Sequence, residues 1–182
     1  CAHGLAELRT APVDDEPGAL SVQAAVADAL APHLPLVDRA LTEAAAALPH
    51  VEAFSDARAL ATLGALVRRT ARDILAYNAR HVDFPLSAED TACIAQRTFL
   101  GALVWAVAGD APLADRTALA TSIAGDAPAP LLDHYVEVAP GAPWRAWADA
   151  VPAVDVDAAA LTTADVVVPT VDTVRQLSLI HI

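Results

Sequence analysis

The stretch FLGALVWAVA, residues Phe99–Ala108, decides how the rest of the chain must fold. It contains no charged or hydrogen-bonding side chain apart from the indole of its tryptophan. Such a run predicts a helix that is apolar on every side, and a helix of that kind is normally enclosed by other helices. Ser87, with Asp90 three residues later, makes a capping-box-like start, and Gly109 ends the run. We therefore expect a central core helix over residues 88–108.

A second long helix is predicted directly before this core helix. Ser55 can accept a hydrogen bond from an unpaired backbone N–H at a helix start. One apolar face then recurs at helical spacing, in Leu60, Leu63, Val67, Ala71 and Ile74. The helix is expected to stop near Asn78, which we interpret as a helix-end cap. Pro85 favours extended geometry in the residue before it, so a loop separates the two helices.

The flanking segments divide into a helical part and a mixed part. Residues 19–49 show helical spacing interrupted by two prolines, which predicts two short helices or one kinked helix. Residues 1–18 are expected to be irregular, and residues 113–124 predict one more helix. Valine-rich runs bounded by Pro and Gly predict short strands after residue 126. These runs are LDHYVEV (132–138), GAPWRAW (141–147), VPAVDV (151–156) and VVVPT (166–170). The predicted fold class is mainly α, a helical bundle followed by a short β/loop segment.

Composition narrows the classes of function. Hydrophobic residues make up 55% of the chain and aromatic residues only 4%, which favours a core of close-packed, alanine-rich helices. The net charge is −12 and the chain contains no Lys, so it carries no electrostatic footprint for nucleic acid or an anionic membrane. Cys1 and Cys93 belong to no disulfide or zinc spacing, and a reducing compartment is expected. The apolar core run is about half the length that spans a bilayer, so we expect a soluble chain.

Sequence motifs for catalysis or metal binding do not occur. A P-loop needs a Lys in GxxxxGK[ST], and the chain contains neither this motif nor GxGxxG nor GxSxG. No two histidines stand at the four-residue spacing that places metal ligands on one helix face, so a metal site is not expected. The Asp and Glu residues fit solvated helix faces and caps. One enzymatic alternative is left open, an uncharacterised hydrolase that uses these acids and His134.

Several longer motifs follow one another in a defined order. They are ILAYNARHVDFPL (74–86), IAQRTFLGALVWAVAGD (94–110), LLDHYVEV (131–138), PWRAWADAVP (143–152) and DVVVPTVDTVR (165–175). Each is weak alone, but in this order and spacing they resemble the motor region of a dynein heavy chain. The resemblance is strongest to the cytoplasmic type and extends over residues 55–176.

The resemblance implies a domain organisation. In AAA+ proteins, a large α/β subdomain is followed by a helical lid. Residues 1–18 are then an entry segment, residues 19–126 the lid of the second AAA+ module, and residues 127–176 the connector and opening strand of the third. Residues 177–182 (LSLIHI) depart from the preceding composition and are expected to be a non-native tail. A free-standing helical interaction or regulatory module without enzymatic activity stays open as the alternative.

For the parent protein, the resemblance implies an ATP-driven, minus-end-directed microtubule motor of the cytoplasm and cytoskeleton. It would bind ATP or ADP with Mg, mostly through residues outside this chain. The chain itself is expected to be a structural and force-relaying part that hydrolyses no ATP. The implied partners are neighbouring AAA+ modules of the same heavy chain and, in the parent, microtubules, intermediate and light chains and a second heavy chain. Nucleic acid and membrane are not expected as partners.

Individual roles also follow from the resemblance. Val168, Pro169 and Thr170 match the family's adenine-side segment, where backbone groups can bind the base edge and apolar side chains cover its face. Thr173 and Arg175 are expected to start the next helix. For Trp105 we expect core packing, and for Trp144 and Trp147 pinning of the connector against the lid or the next module. For Arg68, Arg69 and Arg72 we expect a solvated helix face, with a partner surface as the alternative.

Overall fold

The structure is a computed structural model that describes residues 2–13, 18–124, 131–153 and 169–180. The α-helices are α1 Ala2–Thr10, α2 Ala19–Leu30, α3 Leu34–Ala47, α4 Asp56–Arg80, α5 Ala88–Ala108, α6 Leu113–Ala124 and α7 Val171–Ile180. Strands β1 His134–Val136 and β2 Trp144–Ala146 form an antiparallel pair. Short 3₁₀ helices occupy Ala31–His33, Leu131–Asp133 and Trp147–Ala150. The prediction of a mainly α fold with a short β segment is confirmed.

Helix α5 is the core of the bundle, as its apolar run predicts. It contacts α2, α3, α4 and α6 along its length, and β1 as well. Ile94, Leu103 and Val104 are completely buried. The surrounding helices contribute fully buried alanines, namely Ala27, Ala40, Ala44 and Ala71. Small side chains let helix axes approach closely, so the low aromatic content is compatible with a dense core.

Helix α4 lies along α5 and begins as predicted, with the Ser55 hydroxyl accepting from the backbone N–H of Arg58 at 3.5 Å. Its buried face includes Leu63, Val67, Ala71 and Ile74 from the predicted stripe. The helix continues to Arg80, however, and Asn78 does not cap it. Instead, Asn78 Oδ1 accepts from the backbone N–H of Leu86 at 2.9 Å, so this side chain holds the following loop.

The two-helix alternative is correct for residues 19–49. Helices α2 and α3 are joined by the single 3₁₀ turn Ala31–His33, and Pro32 and Pro35 are the second residues of the turn and of α3. Proline is tolerated at these positions because no intrahelical partner is lost there. The chain therefore changes direction between α2 and α3 without interrupting the interior of either helix.

The expectation of an irregular segment at the start of the chain is wrong for residues 2–10, which form α1. This helix packs on α2 and buries Leu8. The completely buried Gln23 of α2 holds the chain that follows α1, because its Oε1 accepts from Val13 N–H at 2.8 Å and its Nε2 donates to the Ala11 carbonyl at 2.8 Å. Because this short helix is stabilised by contacts with α2, its own sequence shows only a weak helical periodicity.

The predicted strands after residue 130 are confirmed for β1 and β2, which pair Tyr135 with Arg145 at the centre of the register. The turn between them has positive φ at Gly141 (78°) and Ala142 (46°). The hairpin packs on α5 through β1. The predicted strands VPAVDV and VVVPT lie largely outside the described residues.

Two helical stretches of the described chain, Ala19–Ala44 and Ala88–Ala108, are long and apolar enough to cross a membrane when only length and composition are considered. In this bundle, half of the tested window of Ala88–Ala108 is buried against other parts of the protein. Core helices of soluble proteins meet the same criterion. Burial inside the bundle accounts for the apolar character of α5.

Substituting Leu103 with Ala should lower the free energy of unfolding by about 2–5 kcal/mol, because the side chain is fully buried in α5 and its loss leaves a cavity. The matched control is Leu113→Ala at the start of α6, where the side chain is 60% exposed and the expected change is within about 0.5 kcal/mol. Urea denaturation followed by circular dichroism measures both. Equal losses in the two variants would contradict the assignment of α5 as the core.

Candidate functional site

The candidate functional site is the junction, which we define as the contact of residues 131–150 and α7 with α4 and α5. After α6 the chain returns to the bundle at Leu131 and Leu132, which are both buried. The hairpin follows directly, and α7 packs against the 3₁₀ turn Trp147–Ala150. The junction therefore joins the helical bundle to the hairpin and to α7.

The hairpin turn is fixed to the N-terminal half of α5 by two hydrogen-bonding side chains. Arg97 Nη1 donates to the carbonyl of Gly141 at 3.1 Å and to that of Ala142. Asp90 Oδ1 accepts from the backbone N–H of Gly141 at 2.7 Å. This bond and the Ser87 hydroxyl lower the pKa of Asp90 below its ordinary value, because both stabilise the carboxylate. The turn is thus held by a cation on its carbonyls and an anion on its amide.

The C-terminal end of α5 is capped by Arg116 of α6. Its guanidinium donates to the carbonyls of Ala108, Gly109 and Ala111 at 3.1, 2.9 and 2.9 Å. These are the kind of helix-end carbonyls that otherwise have no intrahelical partner. Burial and the neighbouring Arg175 lower the pKa of Arg116, while Asp172 and Asp110 act in the opposite direction. A guanidinium keeps its charge when it is buried beside another cation, whereas an ammonium loses its proton more readily.

Trp105 connects this cap to α7. The Arg116 guanidinium carbon lies 4.5 Å from the Trp105 ring centroid and that of Arg175 lies 5.4 Å from it, both within the range of cation–π attraction. Trp105 is half-buried and packs against the core. The expected core role of Trp105 is therefore confirmed, and the residue has a further role as a platform for two arginines.

Arg175 is the deepest link between α7 and the bundle. It is only 5% exposed, and its Nη1 donates to the Leu132 carbonyl at 3.0 Å. Its Nη2 pairs with Asp172 one turn earlier. Sequence reasoning placed Arg175 correctly in a helix start, since α7 begins at Val171, but missed this long-range contact. The Asp-x-x-Arg spacing indicates the local pair only.

A cavity of about 340 Å³ lies inside the junction. Its walls include Leu66 of α4, Thr98 and Trp105 of α5, and the aromatic rings of Tyr135, Trp144 and Trp147. Trp144 is half-buried against the core, and the ring centroids of Trp147 and Tyr135 lie 4.6 Å apart. Trp144 therefore packs against the core, as expected for pinning the connector, and Trp147 lines the same cavity as Leu66 and Trp105.

Of the three α4 arginines, Arg68 and Arg72 are exposed, as expected for a solvated face, whereas Arg69 is half-buried. Arg69 donates to the carbonyl of Ser178 in α7 and pairs with Asp73 at 3.5 Å. Arg72 donates to the carbonyl of Val13 at 3.3 Å, although much of its side chain is exposed. Burial raises the pKa of Asp73 despite the opposing effect of Arg69. Helix α4 therefore holds both the segment after α1 and the end of α7.

The residues matched to the adenine-side segment stand at the entrance to α7. Val168 lies outside the described residues, Pro169 is half-buried and Thr170 is exposed. Thr170 is the N-cap of α7, since its hydroxyl accepts from Thr173 N–H at 3.2 Å. Its own N–H donates to the Thr173 hydroxyl. Neither Pro169 nor Thr170 lines the cavity.

His50 and Asp110 form a further polar cluster just after the end of α5. His50 Nδ1 lies 2.8 Å from Asp110 Oδ1, and its Nε2 lies 3.1 Å from the carbonyl of Ala44 in α3. Burial alone would raise the pKa of Asp110, but the hydrogen bonds from His50 and from the Glu52 backbone outweigh it and lower the pKa. Among the described residues, no group of three or more His, Cys, Asp or Glu side chains is arranged to hold a metal ion.

The fold is a helical bundle with a two-stranded hairpin and a further helix docked beside its core helix. Residues 31–149 match the family of the dynein heavy chain AAA lid domain, which covers more than half of the chain. The chain belongs to this family.

Curated relatives named as cytoplasmic dynein heavy chains agree with the family assignment. The Neurospora crassa protein is 38% identical over 175 residues, which is 90% of this chain and 4% of that protein. The Fusarium vanettenii protein is 38% identical over 141 residues and the Drosophila melanogaster protein 34% over 140 residues, each 72% of this chain and 3% of the relative. The chain thus spans only a few per cent of the length of these relatives. The resemblance found in the sequence motifs is confirmed.

Replacing Arg116 with Lys should lower the free energy of unfolding by about 1–3 kcal/mol, because an ammonium cannot reach the three carbonyls that the guanidinium binds together. The control is Arg145→Lys, since Arg145 is exposed and pairs with exposed Glu137, and a change below about 1 kcal/mol is expected there. Chemical denaturation of both variants provides the comparison. A loss at position 116 no larger than the control would show that the helix-end cap is energetically unimportant.

Lowering the pH should loosen the hairpin through Asp90. Because the pKa of Asp90 is lower in the folded chain than the usual value of about 3.9, its contribution to stability is complete above that value and is lost as the pH falls through the folded pKa. The wild type should therefore exceed Asp90→Asn in stability at pH 7, and this difference should vanish in acid. Unfolding curves at several pH values measure it, with Asp83→Asn in the exposed α4–α5 loop as control. A difference that stays constant down to pH 2 would contradict the role given to the carboxylate.

Proposed function

We propose that this chain is the helical lid of the second AAA+ module of a dynein heavy chain, together with the connector to the third module. In this assignment residues 19–126 form the lid, and residues 127–176 the connector and the opening of the next α/β subdomain. The family match over residues 31–149 supports a place in the motor ring. The order of the matched motifs supports the second module in particular.

The chain would act as a force-relaying part without catalysis of its own. The observation that carries this proposal is the burial of Arg175 of α7, which is 5% exposed, lies 5.4 Å from the ring centroid of Trp105 in α5 and donates to the Leu132 carbonyl of the connector. The segment that enters the next module is thereby joined to the core helix that runs through the lid. Because packed interiors deform little, a displacement at either end is passed on instead of being absorbed.

The whole heavy chain would bind nucleotide on both sides of this lid. For Val168, Pro169 and Thr170 we keep the adenine-side role, which the match of motif position supports. The half-buried Pro169 supplies apolar surface of the kind that covers a base. The cap formed by Thr170 and Thr173 orders the chain at that point. Phosphate and Mg would be bound by residues elsewhere in the heavy chain, because the sequence has no P-loop lysine.

For the whole protein we propose an ATP-driven motor that moves on microtubules toward their minus ends. The names of the curated relatives, cytoplasmic dynein heavy chains, support a cytoplasmic location on the cytoskeleton. The proposed partners are neighbouring AAA+ modules of the same heavy chain and, for the assembled motor, microtubules, intermediate and light chains and a second heavy chain.

The test uses the intact heavy chain that contains this segment. Arg175→Gln should slow ATP-driven microtubule gliding several-fold because it breaks the contact with Leu132 and the stacking on Trp105. Arg145→Gln on the exposed face of the hairpin is the matched control and should leave gliding unchanged. The downstream sequence should also carry GxxGxGK[ST] within about 25 residues of Arg175. A heavy chain without that motif, or one in which both variants glide at the wild-type rate, would contradict the proposal.

A further inference from the structure

The imidazole of His50 lies between two hydrogen-bond acceptors. Its Nδ1 is 2.8 Å from Asp110 Oδ1, and its Nε2 is 3.1 Å from the carbonyl oxygen of Ala44. The side chain is only 7% exposed, so water has little access to either ring nitrogen. We call this arrangement of His50, Asp110 and the Ala44 carbonyl the clasp. It joins the segment after α3 to the turn that follows α5.

The number of protons on the His50 ring decides whether both contacts of the clasp are hydrogen bonds. A neutral imidazole has one N–H and one acceptor nitrogen, whereas the protonated ring donates from both nitrogens. An ionised carboxylate and a carbonyl can only accept, so a neutral ring would turn a lone pair toward one of them. Leaving a buried acceptor without its hydrogen bond is costly. The geometry therefore fits a ring that is protonated at both nitrogens.

The surroundings of the clasp favour a cation at His50. The hydrogen bonds from His50 and from the Glu52 backbone outweigh burial and lower the pKa of Asp110, so its carboxyl group is ionised at neutral pH. Among the described residues, the buried Asp110 Oδ2 has no hydrogen-bond partner, and the nearest cation lies 3.7 Å away in Arg58. The ring centroid of Phe54 lies 4.9 Å from that of His50, and aromatic rings attract cations at such distances.

The other charged groups near the clasp are Arg58 of α4, Glu52 of the α3–α4 segment and Arg116 of α6. Arg58 lies 3.2 Å from Glu52 as well as 3.7 Å from Asp110, and about half of its side chain is exposed. Water therefore screens its charge, and it serves two acids at once. Arg116 acts on Asp110 through its charge, while its guanidinium donates to backbone carbonyls. Neither arginine takes the place of His50 at Asp110 Oδ1.

We propose that the clasp is a proton-dependent contact, in which the doubly protonated His50 joins Ala44 to Asp110 and loss of one proton breaks one of the two hydrogen bonds. Histidine is the side chain whose ordinary titration lies nearest to neutral pH, so a modest change in pH can switch this contact. Release of the clasp loosens the segment between α3 and α4 from the end of α5. The clasp acts within this chain, whichever module of a motor ring the chain occupies.

The two ionisable members of the clasp limit it on opposite sides of the pH scale. Because the pKa of Asp110 is lowered in the folded chain, its contribution is complete above the ordinary value of about 3.9 and is lost as the pH falls through the folded pKa. The proton on His50 acts in the opposite sense. The unfolded chain releases it near pH 6.5, so its contribution is complete below about that pH and falls as the pH rises further.

The first experiment counts the ring protons directly. The 182-residue chain is labelled with ¹⁵N-histidine, and long-range ¹H–¹⁵N correlation spectra are recorded at about pH 7, above the value of about 6.5 at which an ordinary histidine loses its proton. The signal of His50, identified by its loss in His50→Gln, should show two protonated ring nitrogens. The matched control is His81, whose Nδ1 lies 2.9 Å from the Tyr77 carbonyl, a bond that needs only one ring proton. A neutral ring at His50, with one protonated nitrogen, overturns the inference.

The second experiment measures what the proton contributes to stability. Thermal unfolding of the wild type, of His50→Gln and of the control His81→Gln is compared at about pH 6 and about pH 8.5, on either side of the ordinary titration of histidine. The Tm advantage of the wild type over His50→Gln should be larger at the lower pH by about 2–4 °C. The difference between the wild type and His81→Gln should change little. An advantage over His50→Gln that is the same at both pH values contradicts the proton-dependent contact.

Asp110→Asn is a second variant that keeps the size of the side chain and removes its charge. The amide can turn its NH₂ group toward the ring and so satisfy a neutral imidazole. In the Asp110→Asn background, the pH-dependent part of the Tm difference between His50 and its Gln variant should therefore largely disappear. If it keeps its full size there, the proton on His50 acts somewhere other than at the clasp, and the inference is wrong.

Discussion

A helix that is apolar on all sides persists in water only if other elements enclose it, and α5 imposes this requirement on the whole chain. Helices α2, α3, α4 and α6 surround it, and the hairpin covers part of its remaining surface. Because α5 is buried along much of its length, its ends are the places where polar groups must be satisfied. The capping residues Ser87 and Arg116 serve these two ends.

The segments that surround the core helix are also attached near these two ends. Near the start of α5, Asp90 and Arg97 hold the hairpin turn. Near its end, Arg116 and Arg175 meet over Trp105, and Asp110 joins His50 from the segment after α3. The core helix is therefore both the hydrophobic centre and the common attachment of the lid. This double use gives a physical basis for the force-relaying role that we propose for the chain.

The sequence predicts those parts of the fold that are encoded in local patterns. The apolar run of α5, the stripe of α4 and the valine-rich strands are such patterns, and the structure contains α5, α4 and the β1–β2 pair at the expected places. Helix α1 escapes prediction because its stability comes from α2 and from the buried Gln23. The contact of Arg175 with Leu132 spans 43 positions, so no local spacing indicates it. For the same reason the roles of Arg69 and Arg72 depend on which segments the fold brings beside α4.

Because the chain contains no lysine, arginines supply the cationic side chains of the junction. A guanidinium donates through several nitrogens in one plane, and Arg97, Arg116 and Arg175 each join more than one backbone or side-chain group. If a pulling force acted on α7 or on the hairpin, it would be distributed over several hydrogen bonds of these arginines, so that no single bond would carry all of it. A lysine at position 116 or 175 would offer one ammonium in place of two donor nitrogens, so fewer of these bonds could form at once.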